Sequence, residues 1–289
     1  MRKRVLRKAK MDRAVYSRKN HWVTNRFKVT DPCQPSLKMV DFSSCISEVA
    51  ACDLDFLTTD QMIEVDRLMT DVLEIRLIQM MENAGRNLAR LCVQRFLHDP
   101  ATKKVAVLAG TGGNGGGALV AARRLHQWGA DVRILITKPE QEFAGIPAHQ
   151  LGILRRLGVA ISHTDIPDDS FVANAILDGV IGYSLKGNPR GRAAELIEWA
   201  GNAEVPVLSL DVPSGVDSTE GVVRTPSVIA TATMTLAAPK VGLSAAQAQP
   251  NIGELYVADI GDPDWVYQQI EGLRDMGAVF GSNDIVKLI

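Results

Sequence analysis

KVAVLAGTGGNGGGALVAARRL, residues 104–125, is the stretch whose reading decides the fold. It has three parts. Residues 105–109 form a short apolar run, as in a strand buried on both faces. Residues 110–117 hold six glycines in eight positions, so the backbone there is free to approach another group closely. From Ala118 helix-forming residues return, with Leu119, Ala122 and Leu125 spaced for one face. A strand, a glycine loop and a helix in that order make an anion cradle, because the first-turn N–H groups have no intrahelical partners. A plain tight turn would need fewer glycines, each of which costs conformational entropy on folding.

The pattern continues outward from this unit. Downstream, residues 132–137, 159–162, 175–181, 206–210, 229–236 and 255–257 read as strands, and residues 147–157 and 192–200 as helices. Strands alternating with helices specify an α/β fold with a mostly parallel sheet covered on both faces. Upstream, Thr58 and Gln61 fit a capping box, with Leu57 and Met62 as its hydrophobic staple. Met62, Val65, Leu68 and Met69 then line one side of a helix, and a second helix covers about residues 77–97. The methionines in these helices read as core filler or partner contact, not as a cofactor box. Residues 29–55 read as an irregular lead-in, and the tail after residue 265 as a weak helical pattern with a loose apolar end at residues 285–289. The expected organisation is an extension over 1–55, one domain over 56–265 and a tail over 266–289.

Ligands of such sheets collect beyond the carboxyl ends of the strands. Four strand ends deliver small residues with polar groups: Asn114 in the glycine loop; Asp178 followed by the loop from Gly182; Asp211 and Ser214; and Lys240. An Asp inside an apolar strand must be paired or hydrogen-bonded, whether for a loop or for a site. Asp211 also suits a turn, and Lys240 an exposed charge. Lys186 and Arg190 are either loop charges or phosphate contacts. Gly110, Gly112 and Gly115 fit the dinucleotide fingerprint, but the next strand ends at Thr137 and Lys138 without the acid that a ribose needs. That argues against an ordinary NAD-dependent dehydrogenase and leaves an NADP-dependent reductase as a minor alternative.

Composition narrows the classes. Residues 1–28 carry eleven Lys or Arg and one acid, leaving 21 basic and 32 acidic residues elsewhere, a net of −11. Such an arm reads as a solvated tail, a nucleic-acid or acidic-membrane contact, a mitochondrial address, or sequence upstream of a true start at Met11 or Met39. No apolar run is long enough for a membrane span. Cys33, Cys45, Cys52 and Cys92 include no Cys-x-x-Cys pair, so neither a zinc site nor a disulfide framework is expected. A reducing, cytoplasmic compartment is the default.

With these residues assembled, the chain resembles the YjeF N-terminal domain family, the NAD(P)H-hydrate epimerases. The likeness runs from about Leu57 to Asp262. It is carried by LTTDQMIEVDR (57–67), MENAG (81–85), the glycine loop with VAARRL (120–125), LDGVIGYSLKG (177–187), LDVPSGVD (210–217) and APKVGL (238–243). The resemblance implies a three-layer Rossmann-like fold, usually a homodimer, with hydrated NADH or NADPH as substrate and a bound potassium ion. By position, Asn114, Asp178 and Ser214 would supply oxygens to potassium, and oxygen ligands suit a hard cation. Gly113, Asn114, Gly115, Gly116 and Gly117 would hold the substrate, together with Gly182, Tyr183, Ser184, Leu185, Lys186, Gly187, Asn188 and Asp211. Asp178 and Asp211 would act as acid and base, and Lys240 would orient a group or steer phosphate. Gly113 and Gly117 stand where the family loop has Asn and Asp, and Tyr183 and Ser184 where small Thr and Gly are usual. These departures motivate an alternative, a ligand-binding or scaffold protein of the same fold, RNA-associated through the basic arm.

Overall fold

The computed structural model describes residues 46–166, 171–273, 277–281 and 283–289. The basic arm, with its nucleic-acid and targeting readings, and Cys33 and Cys45 lie outside the described residues. Nine strands form one sheet: β1 (Ser47–Val49), β2 (Lys104–Ala109), β3 (Asp131–Ile136), β4 (Ala160–Ser162), β5 (Ala175–Gly179), β6 (Val207–Leu210), β7 (Ala232–Leu236), β8 (Glu254–Ala258) and β9 (Ile285–Leu288). Their order is β1-β9-β8-β7-β6-β5-β2-β3-β4, and every neighbouring pair is parallel except β8 with β9. The chain winds outward in one direction from β2 and in the other from β5. The two meet at a topological switch point, where open α/β sheets form their ligand crevice.

Alternation along β2 shows how the layers are made. Val105, Val107 and Ala109 pack with Leu88 and Leu91 of α2 (Leu77–Cys92) and with Leu119 and Ala122 of α3 (Gly113–Gln127). Ala106 and Leu108 point the other way, into a cluster with Leu196, Ile197 and Ala200 of α5 (Arg192–Asn202). An apolar run read as a doubly buried strand therefore serves two cores. Each fully buried aliphatic side chain in them contributes about 1.5–3 kcal/mol. The helix α4 (Gly145–Arg156) adds Leu151 and Leu154 to the first cluster. No described helix is long and apolar enough to cross a membrane.

At the start of α1 (Thr59–Arg67) the capping box forms. Thr58 N–H donates to Gln61 Oε1 at 2.9 Å, and Gln61 N–H to Thr58 Oγ1 at 3.2 Å. Leu57 and Met62 are buried in one cluster with Val257 and Val286. The lead-in and tail need correction. Ser47–Val49 pairs in parallel with Val286–Leu288, and β9 runs antiparallel to β8. These strands are three and four residues long, so neither carries a readable period of its own, and each is defined by the strand beside it.

The MENAG stretch belongs to the α2–α3 seam. A Cβ on Gly85 would lie 2.4 Å from Val120 Cβ and 2.5 Å from Gly117 O, so only glycine lets the helices meet there. Glu82 accepts from Arg123 at 2.6 Å, from Arg124 at 3.2 Å and from Gln150 at 3.2 Å. Burial alone would raise its pKa, but these bonds outweigh it and hold Glu82 below its ordinary value of 4.5. A lowered carboxylate contributes stability that is present above about pH 4.5 and lost as pH falls through the folded-state value. Glu82→Gln is expected to cost about 1–3 kcal/mol at pH 7. In urea titrations, its difference from the native protein should narrow on acidification below the ordinary glutamate range.

Candidate active site

A cavity of about 900 Å³ opens at the carboxyl ends of β2, β5, β6 and β7. The glycine loop forms one side, with Gly110, Thr111, Gly112, Gly113, Asn114 and Gly117 on its lining. Gly112 is the N-cap of α3, so the unbonded first-turn N–H groups lie at the cavity. Gly115 and Gly116 do not line it. A Cβ on Gly115 would fall 1.8 Å from Gly110 O, so packing against backbone requires glycine there, whereas one on Gly116 would meet the mobile end of Met81, 2.7 Å from Sδ. At Gly117, which does line the cavity, a Cβ would meet only the end of a side chain, Leu210 Cδ2 at 2.8 Å.

At the end of β6, Asp211 takes φ of +68°, a left-handed conformation that is uncommon for a non-glycine residue and concentrates at functional sites. Its Oδ1 is 2.5 Å from Lys240 Nζ, and both side chains are almost wholly buried yet border the cavity. Lys240 Nζ also donates to Leu236 O at 2.7 Å and to Thr235 Oγ1 at 3.2 Å, which uses all three ammonium hydrogens. The backbone on each side of Lys240 is held by the segment before α1. Leu57 N–H donates to Pro239 O at 2.8 Å, and Val241 N–H to Leu57 O at 3.0 Å.

Asp178 is 0% exposed and absent from the cavity lining. Its Oδ2 accepts from Ser209 Oγ at 2.8 Å and Ser214 N–H at 2.9 Å. Its Oδ1 accepts from Ser214 Oγ at 2.6 Å and Val180 N–H at 3.2 Å. Burial pushes its pKa up despite these four bonds. No ion pair reaches it among the described residues. Asn114 Nδ2 donates to Leu210 O at 2.7 Å, and its amide lies against Gly182, where a Cβ would come within 3.0 Å of Oδ1. Asn114, Asp178 and Ser214 are thus all tied to the same pair of strand ends, β5 and β6. Together they offer neutral and anionic oxygens of the kind a hard cation takes. No group of three His, Cys, Asp or Glu residues suited to a metal occurs among the described residues.

Of the loop after β5, Gly182, Tyr183 and Ser184 line the cavity, whereas Leu185, Lys186, Gly187 and Asn188 do not. Arg190 and Arg192 rejoin it, with Lys138 and His163 from other strand ends. Tyr183 OH donates to Asp66 Oδ2 at 2.8 Å. Asp66, at the end of α1, is a cavity residue that the motif reading misses. The available signal is its i,i+4 spacing from Met62, which puts both on the face turned to the cavity. Met80 and Met81, read as core filler or partner contact, also form part of the wall, together with Leu77.

With this geometry in hand, relatives can be compared. A family model described as "YjeF-related protein N-terminus" matches residues 77–242. The chain belongs to the YjeF-related N-terminal family. A relative named NAD(P)H-hydrate epimerase, from Dehalogenimonas lykanthroporepellens, is 39% identical over 233 residues, 80% of this chain and 92% of that protein. A bifunctional NAD(P)H-hydrate repair enzyme of Pyrobaculum aerophilum is 36% identical over 218 residues, covering 73% of this chain but only 42% of that protein. The crystal structure of yeast YNL200c superposes with a TM-score of 0.70 at 26% identity, over 81% of this chain and all of that one. The MENAG seam, the glycine loop, Asp178, Asp211 and Lys240 fall inside the matched stretch, whereas Met62, Asp66 and Ile260 of the cavity wall lie outside it.

The Asp211–Lys240 pair gives a direct expectation. Lys240→Met leaves the carboxylate buried without its partner and should cost about 3–5 kcal/mol. The double variant Asp211→Asn/Lys240→Met should regain most of that loss, as read by denaturant midpoints at pH 7.

Proposed function

We propose that this protein interconverts the S and R forms of hydrated NADH and NADPH, a repair reaction on damaged nicotinamide nucleotides. The observation that carries the reading is the buried Asp211–Lys240 pair bordering a cavity whose opposite requirement, an anion cradle, is met by the glycine loop at the start of α3. Relatives named as NAD(P)H-hydrate epimerases support it. A dinucleotide needs both features: phosphates at free backbone N–H groups and a reacting ring beside an acid–base group. The hydrated ring carbon bears a hydroxyl and adjoins the ring nitrogen. The nitrogen lone pair expels the hydroxyl to give a planar cation, and water adds from the other face. An anion near the ring would stabilise that cation, and Asp211, a carboxylate bordering the cavity, is our candidate for it. Lys240 acts by orienting Asp211, since its three hydrogens are already engaged.

Potassium belongs to this reading. The test of fit is Asp178, a fully buried carboxylate whose hydrogen-bond partners are all neutral donors, in contact with Ser214, while Asn114 is bonded to the end of the neighbouring strand β6. Asn114, Asp178 and Ser214 would hold the ion. When bound, the ion supplies a fixed positive charge that balances Asp178 beneath the glycine loop.

The reading is checked by following interconversion of the two epimers with purified protein. Catalysed interconversion is expected, and Asp211→Asn should lower kcat by about 10²–10⁴-fold. An uncatalysed rate with native protein, in potassium and without it, defeats the reading. The ion is checked separately by thermal melting: KCl should raise the Tm above that in choline chloride at equal ionic strength. Asp178→Asn should abolish the difference.

A further inference from the structure

Epimerisation across a ring makes two demands on protons. The departing hydroxyl must gain one, and the water arriving on the opposite face must lose one. One carboxylate of the sequence-level pair, Asp211, borders the cavity, whereas Asp178 is 0% exposed with both oxygens engaged. A second proton-handling group has to come from elsewhere on the wall.

We propose that Asp66 is that group, a catalytic carboxyl held toward the substrate by Tyr183. The inference rests on the epimerase reading. Asp66 lines the cavity, and Tyr183 OH bonds only its Oδ2. Its Oδ1 has no hydrogen-bond partner among the described residues. Both ends of α1 are fixed. At the start, Thr59 Oγ1 bonds Ser218 Oγ at 2.8 Å and Thr219 Oγ1 at 2.6 Å. At the end, Asp66 meets Tyr183, whose own carbonyl accepts from Ser218 Oγ at 3.2 Å. Asp66 is therefore held by the loop after β5, which is itself tied through Ser218 to the loop that follows Asp211.

The charged and titratable groups that act on Asp66 are Tyr183, Lys240 and Asp211. Burial raises its pKa most, Tyr183 and Lys240 oppose that, Asp211 adds to it, and the net direction is upward. A raised carboxyl suits an acid that must keep its proton toward neutrality. In one direction the C–O bond breaks with its electron pair on oxygen, and the Asp66 carboxyl proton converts the departing hydroxyl to water. The ring nitrogen lone pair forms the C=N⁺ bond. Water then adds to the other face, its lone pair forming the new C–O bond, and its proton passes to Asp211. The C=N⁺ electron pair returns to the ring nitrogen as the new C–O bond forms. Exchange with solvent in the open cavity then takes the proton from Asp211 and returns one to Asp66, which restores both groups for the next turnover.

Steady-state kinetics on the purified full chain test the assignment. Asp66→Asn should lower kcat about 100-fold or more with KM changed less than about threefold. Above the ordinary aspartate range a raised carboxyl costs stability, so Asp66→Asn should melt at or above the native temperature at pH 7. Asp66→Glu should restore part of the rate. Tyr183→Phe removes the bond that opposes the raised pKa and should move the alkaline limb of the pH–rate profile upward. An Asp66→Asn protein with native kcat, beside an inactive Asp211→Asn, overturns the role of Asp66. An unmoved profile in Tyr183→Phe overturns that of Tyr183. Native protein that fails to catalyse interconversion overturns the epimerase reading itself, and this assignment with it.

Discussion

The carboxylate of Asp178 constrains the rest of the site. A carboxylate without solvent contact costs several kcal/mol unless its oxygens are satisfied. Here satisfaction fixes geometry. Asp178 sits opposite Ser209 in the β5–β6 register, takes that hydroxyl directly, and draws the turn after β6 inward through both Ser214 N–H and Oγ. Ser214 Oγ then accepts from Ile181 N–H at 2.9 Å, which aims the chain beyond β5 at Gly182 and the amide of Asn114. Asn114 closes the circuit on Leu210 O, the last residue of β6. One set of hydrogen bonds, closed by the packing of Gly182 against the Asn114 amide, thus joins a helix start and two strand ends, and loss of a hydrogen-bonding member leaves another group unpaired.

Three carboxylates near these bonds meet three kinds of partner. Asp178 has neutral donors, Asp211 has an ammonium, and Asp66 has a phenol. Environment, not residue type, separates them: burial raises the pKa of Asp178 against its four neutral donors, and raises that of Asp66 against its bond from Tyr183.

Much of this was legible in the sequence because the relevant signals are local. The glycine loop, the capping box of Thr58 and Gln61, and the alternation of strands and helices all follow from spacing within a dozen residues. The polar groups at the strand ends were legible through the rule that ligands gather there. Others depend on partners far along the chain. Ser47–Val49 becomes a strand only beside Ile285–Leu288. Asp66 looks like one more solvated charge on an amphipathic helix until Tyr183, 117 residues on, meets it. Gly115 and Gly116 read as part of the cradle, yet their backbones are crowded by Gly110 and Met81. Sequence shows that a residue lacks a side chain, but not whether the space is kept for a ligand or already filled.

Lys240 carries one more consequence. The bridge between Leu57 and the backbone flanking Lys240 is a pair of main-chain hydrogen bonds, independent of side-chain identity. It joins the entry to α1, which with α2 forms the helical side of the cavity, to the residue paired with Asp211. Displacement of α1 therefore loosens Lys240 at its root, and disturbance of the ion pair is transmitted back to the helix. The amide protons of Leu57 and Val241 would exchange with solvent together, so this short stretch of backbone reports whether the chemical centre is assembled.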